Sequence, residues 1–260
     1  NAWYKKYAGE GLEIVGVHTP EFAFEKLQKN VEDGVKRFGI QYPVVLDNNY
    51  GTWNAFNNQY WPREYLIDID GFIVHDHAGE GAYDETEQAI QKALAERVSI
   101  LGQGEQSKIS GGIVAPKDAV AVDPNKVSSP ETYFGSNRNE YLTNGKKSVT
   151  GIQFFDLPNE IKPNKLYLGG VWNFTPEYAE STGEVDGTVI FKYNAKNVYM
   201  VASSKEGTDM EVYLDGKLNK TVHIKDEMLY DIIVGADYGE HTLKLQFTKP
   251  GIQAFTFTFG

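Results

Sequence analysis

Residues 60–81, YWPREYLIDIDGFIVHDHAGEG, decide the fold of the first part of the chain. Two runs rich in β-forming residues, 63–68 and 71–77, are separated by Ile69-Asp70, and Asp70-Gly71 is the pair at the turn. Aspartate followed by glycine is a typical turn pair between antiparallel strands, because glycine readily adopts positive φ. The stretch therefore predicts a β-hairpin that begins directly after Trp61-Pro62.

Helix-like and strand-like patterns alternate on both sides of this hairpin, which predicts an α/β domain with crossover helices. The predicted elements before the hairpin are the tail of a helix at 1–8, a buried strand at 12–18, a helix from Thr19 to about residue 38, a strand at 42–47 and a short helix at 50–56. A last helix is predicted to begin at Asp84. Glu87 lies three residues later, as in a capping box.

The composition changes after the last predicted helix. Residues 98–130 are rich in Gly, Ser, Gln, Lys and Pro, which is typical of a linker. Short alternating runs of β-forming residues follow, such as TVIFKYNA at 188–195 and MEVYLDG at 210–216. Their spacing predicts an antiparallel β-sandwich. The sequence thus predicts an α/β domain at 1–97, a linker at 98–130 and an all-β domain at 131–260.

Charge and composition exclude several classes of function. With Lys+Arg 25 against Asp+Glu 36, the net charge of −11 argues against a nucleic-acid partner, which normally needs a basic face. No apolar run is long enough to span a membrane, and no glycine-rich phosphate loop is present, so no cofactor is predicted. The chain has no cysteine, which excludes disulfides and thiol chemistry from these 260 residues.

Several longer stretches resemble one family. AWYKKYAGEGLEIVGVHTPEF at 2–22, YPVVLDNNYGTWNAF at 42–56 and the hairpin stretch are similar to the thioredoxin-like region of DipZ-type thiol:disulfide interchange proteins. SSPETYFG at 128–135 and LYLGGVWNFTPEYAES at 166–181 resemble the jelly-roll domain that follows it, which is itself similar to carbohydrate-binding modules. The resemblance covers nearly the whole chain.

This resemblance implies an extracytoplasmic thiol:disulfide oxidoreductase, membrane-tethered in some relatives, that acts on protein thiols and disulfides. In some relatives a fused membrane domain supplies electrons. The family's Cys-x-x-Cys motif and its preceding strand would lie upstream of Asn1, so the thioredoxin-like domain is expected to be incomplete. Since the chain starts without Met inside a helical pattern, we expect it to be a piece of a longer protein. These residues alone contain no catalytic thiol.

The resemblance also implies residues beside the redox site. Pro62 matches a cis-proline that faces the dithiol in thioredoxin-like proteins, and Trp61 and Arg63 would flank it; core filling and a solvated charge are their structural alternatives. His18 and Glu21 lie at the carboxyl end of a predicted strand, where α/β sheets place ligand chemistry. A helix cap formed by Thr19 and its neighbours explains the same residues.

Two histidines and one aspartate-rich stretch are candidates for metal sites. His75 and His77 alternate along a predicted strand, but no third ligand is evident, so a solvated strand face is favoured. The stretch IDIDG does not match a calcium loop, since Leu66 would occupy its first ligand position. No metal site is predicted.

Aromatic residues of the second domain are candidates for a ligand-stacking surface. Trp172, Phe174 and Tyr178 form the densest group, with Tyr133 as a lesser candidate, and a glycan is the ligand that such a surface would suit. A sandwich core needs large aromatic residues as well, and this alternative stays open. The sequence does not support Glu177 and Glu180 as a glycosidase pair, because sequence spacing does not give their separation in space.

A different class of function remains open. The absence of cysteine is compatible with a non-catalytic cell-surface protein that keeps a thioredoxin-like scaffold and binds a glycan or a protein through its second domain. The sequence does not give an oligomeric state.

Overall fold

The computed structural model divides the chain into two compact units, Asn1–Val122 and Asp123–Gly260. It describes residues 1–102, 109–114, 123, 125–183 and 187–260.

The first unit alternates helices with short strands. Its elements are α1 (Ala2–Tyr7), a 3-10 turn (Ala8–Glu10), β1 (Gly16–His18), a second 3-10 turn (Ala23–Lys26), α2 (Gln28–Arg37), β2 (Val44–Leu46), α3 (Gly51–Ala55), β3 (Arg63–Ile67), β4 (Ile73–Ala78) and α4 (Tyr83–Ile100). The order of helices and strands matches the predicted one.

Two predicted helix starts are corrected by the structure. The helix predicted from Thr19 begins at Gln28, because Thr19 donates its hydroxyl hydrogen bond to Asp47 instead of capping a helix. The helix predicted from Asp84 begins at Tyr83 and has no side-chain cap. Glu87 does not complete a capping box, since its carboxylate turns inward to Lys6 and other partners.

The strands of the first unit form two separate pairs. β1 pairs with β2 in parallel, with Val17 opposite Val45. β3 pairs with β4 in the predicted antiparallel hairpin, with Glu64 opposite His77. Within the described residues no hydrogen-bonded ladder joins the two pairs, so each pair is a sheet of its own.

A small apolar cluster holds the helices of the first unit together. Its buried members are Tyr7, Leu12, Ile90 and Leu94, with Trp3, Ile14, Leu66 and Ile109 packed against them. Helices α1 and α4 both contribute to it because their apolar residues recur at helical spacing. The cluster therefore ties α1, the segment before β1 and α4 to one another.

The second unit is rich in antiparallel strands. They are β5 (Thr132–Tyr133), β6 (Gly151–Phe155), β7 (Leu166–Phe174), β8 (Ala179–Ser181), β9 (Thr188–Ser204), β10 (Thr208–Leu214), β11 (Lys217–Ile224), β12 (Met228–Phe247) and β13 (Ile252–Phe259). Their order is β11-β10-β12-β9-β13-β8-β7-β6, with β5 on β13 and a further pairing of β9 with β7. The two-layer jelly roll stays a prediction.

Alternate residues of these strands build one large core. Along β9, for example, Val189, Phe191 and Tyr193 are buried while the residues between them are partly exposed. This period of two is what a strand with one face on a core produces. The core of the second unit includes Trp172 and Phe174.

The predicted linker, 98–130, lies partly outside the described residues. Within it, α4 continues to Ile100, and residues 109–114 contact other parts of the first unit: Ile109 packs on the apolar cluster, and the backbone N–H of Val114 donates to Glu87. β5 begins at Thr132, close to the predicted start of the all-β domain. The limits 1–97, 98–130 and 131–260 remain our proposal.

Candidate functional site

A cavity of about 990 Å³ lies between the two strand pairs of the first unit. We call it the inter-sheet cleft. Residues from before β1 and from β1 itself line one part of it, including Ile14, Val15 and Val17, and β3 lines another part. Val15 and Val17 are 57% and 43% exposed, which is unusual for apolar residues within and beside a strand.

Both strands at the cleft carry backbone groups that can pair with a further strand. Among the described residues, β1 pairs with β2 alone and β3 with β4 alone. An edge strand of this kind presents unpaired N–H and C=O groups to whatever approaches it. The cleft thus combines two strand edges with apolar side chains, a surface suited to an extended polypeptide segment.

Trp61 and Pro62 lie in the wall of the cleft, and the peptide bond between them is cis, as the resemblance implied. The Trp61 indole Nε1 donates a hydrogen bond of 3.1 Å to the carbonyl oxygen of Thr19. Its ring lies 4.1 Å from the ring of Trp53 between centroids and remains 48% exposed. The hydrogen bond and the ring contact fix an aromatic surface beside Pro62.

Arg63 also lines the cleft, but it is not a solvated charge. Its guanidinium forms an ion pair with Asp76, the neighbouring strand's carboxylate, and lies 5.2 Å from the ring centroid of Tyr65. The Nε atom of Arg63 is buried and has no hydrogen-bond partner in the described structure. Arg63 therefore stiffens the hairpin wall beside Pro62.

His18 and Glu21 do not line the cleft. The Nε2 atom of His18 lies 3.0 Å from the carbonyl oxygen of Glu25, and the backbone N–H of Glu21 donates to the Glu25 carboxylate. Burial raises the pKa of Glu25, and the backbone hydrogen bonds offset only part of this effect. His18 and Glu21 thus belong to the loop around the second 3-10 turn, whereas their neighbour Thr19 does line the cleft.

Asp47 organises the side of the cleft that carries Trp53. Its carboxylate accepts hydrogen bonds from the backbone N–H groups of Thr52, at 3.0 Å, and Trp53, at 2.8 Å. These are N–H groups of the first turn of α3, which have no partner inside the helix. Because Asp47 also accepts from Thr19, it joins the ends of β1 and β2 to α3.

Sequence reasoning missed a polar group on the side of the hairpin that contacts α4. Glu64 and His77 are opposite each other, and His75 Nε2 lies 3.1 Å from the Thr86 hydroxyl of α4. Burial raises the pKa of Glu64, and a hydrogen bond with Thr86 offsets only part of that effect. The solvated face predicted for His75 and His77 is therefore corrected: the contact with Thr86 places α4 against that face, and both rings are partly buried.

The strict alternation of the hairpin could have shown that Glu64, His75 and His77 share a face. It could not show that α4 contacts that face. Within the described part of the chain, no three His, Asp or Glu residues lie close enough together to hold a metal ion.

The second unit does not present the predicted aromatic group as a whole. Trp172 is fully buried, donates its indole N–H to the carbonyl oxygen of Gly169 and packs on Phe247. Phe174 is 2% exposed. Neither ring can stack on a ligand, so the stacking surface expected from these two residues is corrected to core packing.

Tyr178 and Tyr133 are the aromatic candidates of the second unit that remain partly exposed. The Arg138 guanidinium lies 3.6 Å from the ring centroid of Tyr133, and the Tyr178 ring lies 5.1 Å from that of Phe255. Burial raises the pKa of Tyr178, and the nearby carboxylates of Glu180 and Glu177 raise it further.

Comparison with known protein families gives a match that covers the second half of the chain. Residues 129–260 match the family described as "Thioredoxin like C-terminal domain". No helix among the described residues has both the length and the apolar composition needed to cross a membrane.

Individual relatives extend the match to the first unit. Proteins called DipZ, from Mycobacterium bovis and Mycobacterium tuberculosis, are 35% identical over 258 residues, which is 99% of this chain and 35% of theirs. The thiol-disulfide oxidoreductase YkuV of Bacillus subtilis is 27% identical over 37% of this chain and 64% of its own length. These relatives confirm the resemblance to DipZ-type proteins. The chain spans about a third of the DipZ proteins that it matches.

Among solved structures, the module CsCBM6-3 of Clostridium stercorarium in complex with cellobiose resembles this chain weakly. It is 17% identical, covers 54% of this chain and 91% of its own, and has a TM-score of 0.26. A likeness of this size carries no inference about the second unit.

Proposed function

From the premise that this chain belongs to the family described as "Thioredoxin like C-terminal domain", we propose that it is part of a thiol:disulfide oxidoreductase that acts on protein thiols and disulfides. The observation that carries the proposal is the inter-sheet cleft, in which two strand edges and the Trp61-Pro62 pair line one cavity. The similarity to DipZ and YkuV supports the same reaction class.

The reaction needs two cysteines that these 260 residues do not contain. We place them in a segment that precedes Asn1 and whose strand occupies the cleft between β1 and β3. One thiolate attacks a sulfur of the substrate disulfide, which breaks the substrate S–S bond; a mixed disulfide forms, and the other substrate sulfur leaves as a thiolate that takes up a proton. The second thiol displaces the reduced substrate, so two electrons and two protons pass to the substrate and the enzyme becomes the disulfide.

The residues of this chain supply the surface on which that exchange occurs. Pro62 and Trp61 lie beside the proposed position of the dithiol and contact the backbone and side chains of the substrate. Asp47 and Arg63 hold the two sides of this surface, as their hydrogen bonds and ion pair indicate. We further propose that the protein acts outside the cytoplasm, that a membrane domain supplies electrons, and that the second unit is an accessory or binding domain.

The proposal is tested with the longer chain that includes the natural segment before Asn1. We expect it to catalyse insulin reduction by dithiothreitol, and replacement of either upstream cysteine by serine to abolish catalysis. Trp61→Ala is expected to raise KM severalfold, because it removes a substrate contact. Phe154→Ala, which removes an 80% exposed ring from the second unit, is the matched control and should leave KM unchanged.

An upstream segment without paired cysteines, or reduction no faster than with dithiothreitol alone, would refute the proposal.

The second candidate, a non-catalytic binding protein, is favoured by the absence of cysteine in this chain. It requires a binding surface on the second unit, for which Tyr133 and Tyr178 are the partly exposed aromatic candidates. Glycan-array binding that is unchanged by Tyr133→Ala and Tyr178→Ala would remove that surface.

A further inference from the structure

Residues 109–114, ISGGIV, form a short segment of the first unit that contacts α1, the first 3-10 turn and α4. Ile109 packs against the apolar cluster of α1 and α4. The backbone N–H of Ser110 donates to the Glu10 carboxylate at 2.9 Å, and the Ser110 hydroxyl donates to the same group. Apart from Ile109 and the Ser110 hydroxyl, the segment binds through its backbone.

The carbonyl oxygen of Gly112 joins α1 to α4. It accepts hydrogen bonds from Lys6 Nζ of α1, at 2.7 Å, and from Gln91 Nε2 of α4, at 2.8 Å. Gly112 has a φ of +77°, a conformation that residues with a Cβ atom rarely adopt. The double acceptor therefore depends on glycine at this position.

Glu87 of α4 is a buried residue that binds both α1 and the 109–114 segment. Its side chain is 0% exposed. One carboxylate oxygen accepts from Lys6 Nζ at 2.7 Å and from the Tyr7 hydroxyl at 2.6 Å, and the other accepts from the backbone N–H of Val114 at 2.7 Å. A buried carboxylate with three donors is stable in its charged form, and each donor comes from outside α4.

These contacts bear on the cleft because α1 is short. A helix of six residues does not keep its position in water without tertiary contacts. Asn1 and Trp3 of this end of the chain line the inter-sheet cleft, while Lys6 and Tyr7 bind Glu87. Whatever fixes Lys6 and Tyr7 therefore also fixes the wall of the cleft at Trp3.

We infer that Glu87, together with Ser110, Gly112 and Val114, forms a clasp that positions α1 and that opens when Glu87 is protonated. The clasp itself is independent of the proposed redox function. Its role in positioning the proposed dithiol, which would continue into α1, rests on that function.

The groups that face Glu87 determine the pH at which the clasp opens. Lys6 and Tyr7 face it from α1, and residues 109–114 contribute no titratable side chain. Tyr83, one turn earlier on α4, is bound to Glu80 instead. Burial alone would raise the pKa of Glu87, but the hydrogen bonds from Lys6, Tyr7 and Val114 outweigh burial and hold that pKa below its usual value.

Because the pKa of Glu87 is lowered in the folded state, the clasp loses stability in acid and not in base. A carboxyl group whose pKa is lower in the folded state stabilises that state above its ordinary pKa, about 4.3 for glutamate, and loses this contribution as the pH falls through the folded value. The clasp is therefore closed at neutral pH and opens only in acid.

Amide hydrogen exchange of Val114 and Ser110 in the 260-residue chain tests the clasp. We expect both amides to be protected at pH 6. The protection of Val114 should fall at least tenfold as the pH is lowered below the ordinary pKa of glutamate, about 4.3. Glu87→Gln should lower the protection of the Val114 amide at pH 6 tenfold or more and remove the pH dependence of that protection. Glu96→Gln, on an exposed part of α4, is the control and should change neither.

Gly112→Ala provides a second variant that leaves the interior of the first unit untouched. An added Cβ atom meets nothing within 4 Å at Gly112, so its effect arises from the backbone conformation alone. We expect at least a tenfold loss of Val114 protection, whereas Gly111→Ala, which also meets nothing within 4 Å and has no positive φ, should have little effect. An unprotected Val114 in the unaltered chain, or protection within twofold of it in both Glu87→Gln and Gly112→Ala, would overturn the clasp.

The positioning role has its own readout in the longer, cysteine-containing chain. Gly112→Ala should lower kcat for insulin reduction threefold or more without changing KM, and Gly111→Ala should change neither. An unchanged kcat in a variant whose clasp is open by exchange would refute positioning. If the longer chain has no dithiol activity, the proposed function fails, while the exchange experiment still decides the clasp.

Discussion

At the scale of single residues, Asp47 joins the end of β2 to the start of α3. Its side chain accepts hydrogen bonds from two backbone N–H groups of α3 and from the hydroxyl of Thr19. Burial alone would raise the pKa of Asp47, but these hydrogen bonds outweigh burial and hold that pKa below its usual value. The charged form of Asp47 is thus the form that the fold stabilises.

Replacing Asp47 by asparagine tests this interpretation through its pH dependence. A lowered pKa means that the stabilising effect is fully present above the unfolded value, about 3.9 for aspartate, and is lost as the pH falls through the folded value. Asp47→Asn should therefore lower the Tm of the first unit by a few degrees at pH 7, with a smaller difference near pH 3. The control Asp70→Asn changes an exposed turn residue and should leave Tm nearly unchanged at both pH values.

The aromatic residues show which site predictions the sequence alone can and cannot make. The family resemblance indicates Trp61, Pro62 and Arg63, and the structure places all three in the cleft wall. Trp172 and Phe174 have the same composition signal as a ligand-stacking surface, yet they are buried in the core. Aromatic residues serve both roles, and the choice depends on which face of the strand is covered by the rest of the fold.

At the scale of elements, the β3–β4 hairpin is the part that local sequence determines best. The Asp68 side chain accepts hydrogen bonds from the backbone N–H groups of Asp70, at 3.0 Å, and Phe72, at 2.8 Å. Gly71 follows with a φ of +88°. The turn is closed by residues adjacent in sequence, which explains why the pattern alone was sufficient to predict it.

A pair of glycine substitutions tests the turn. Gly71→Ala places a Cβ atom in open space but in an unfavourable backbone conformation, so we expect a loss of about 1–2 kcal/mol in the free energy of unfolding. Gly34→Ala, in the interior of α2 and also in open space, should instead stabilise the unit by about 1 kcal/mol. Urea unfolding followed by tryptophan fluorescence measures both. Equal effects at the two positions would contradict the assigned conformations.

Elements whose ends depend on distant partners were predicted less well. The residues Thr19, Pro20 and Glu21 form a good local signal for a helix start, but the partner of Thr19 is Asp47, 28 positions later. Asp84 and Glu87 form a good local signal for a capping box, but Glu87 binds α1 and Val114. In both cases a tertiary hydrogen bond outweighs a local one, and sequence patterns do not contain that information.

At the scale of the whole molecule, each unit has a core of its own. The core of the second unit draws on strands spread over its whole length, whereas the buried members of the apolar cluster among the described residues of the first unit are Tyr7, Leu12, Ile90 and Leu94. The order of elements and the change from α/β to strand-rich patterns could be predicted from periodicity. The inter-sheet cleft could not, because it depends on how two strand pairs that share no hydrogen-bonded ladder are placed in space.

We propose that the cleft beside Trp61 receives a segment that carries a dithiol. The chain has four tryptophans, of which Trp3, Trp53 and Trp61 belong to the first unit and Trp172 to the second. Each gives one indole N–H signal in a nitrogen-15 NMR spectrum. Trp61 therefore reports on the cleft, and Trp172 reports on the core of the second unit.

We would record this spectrum with the longer chain fully reduced and fully oxidised. We expect the indole signals of Trp61 and Trp53 to shift between the two states while that of Trp172 does not. Two cysteines whose oxidation leaves Trp61 and Trp53 unchanged, or a segment that supplies no cysteine pair to oxidise, would contradict it.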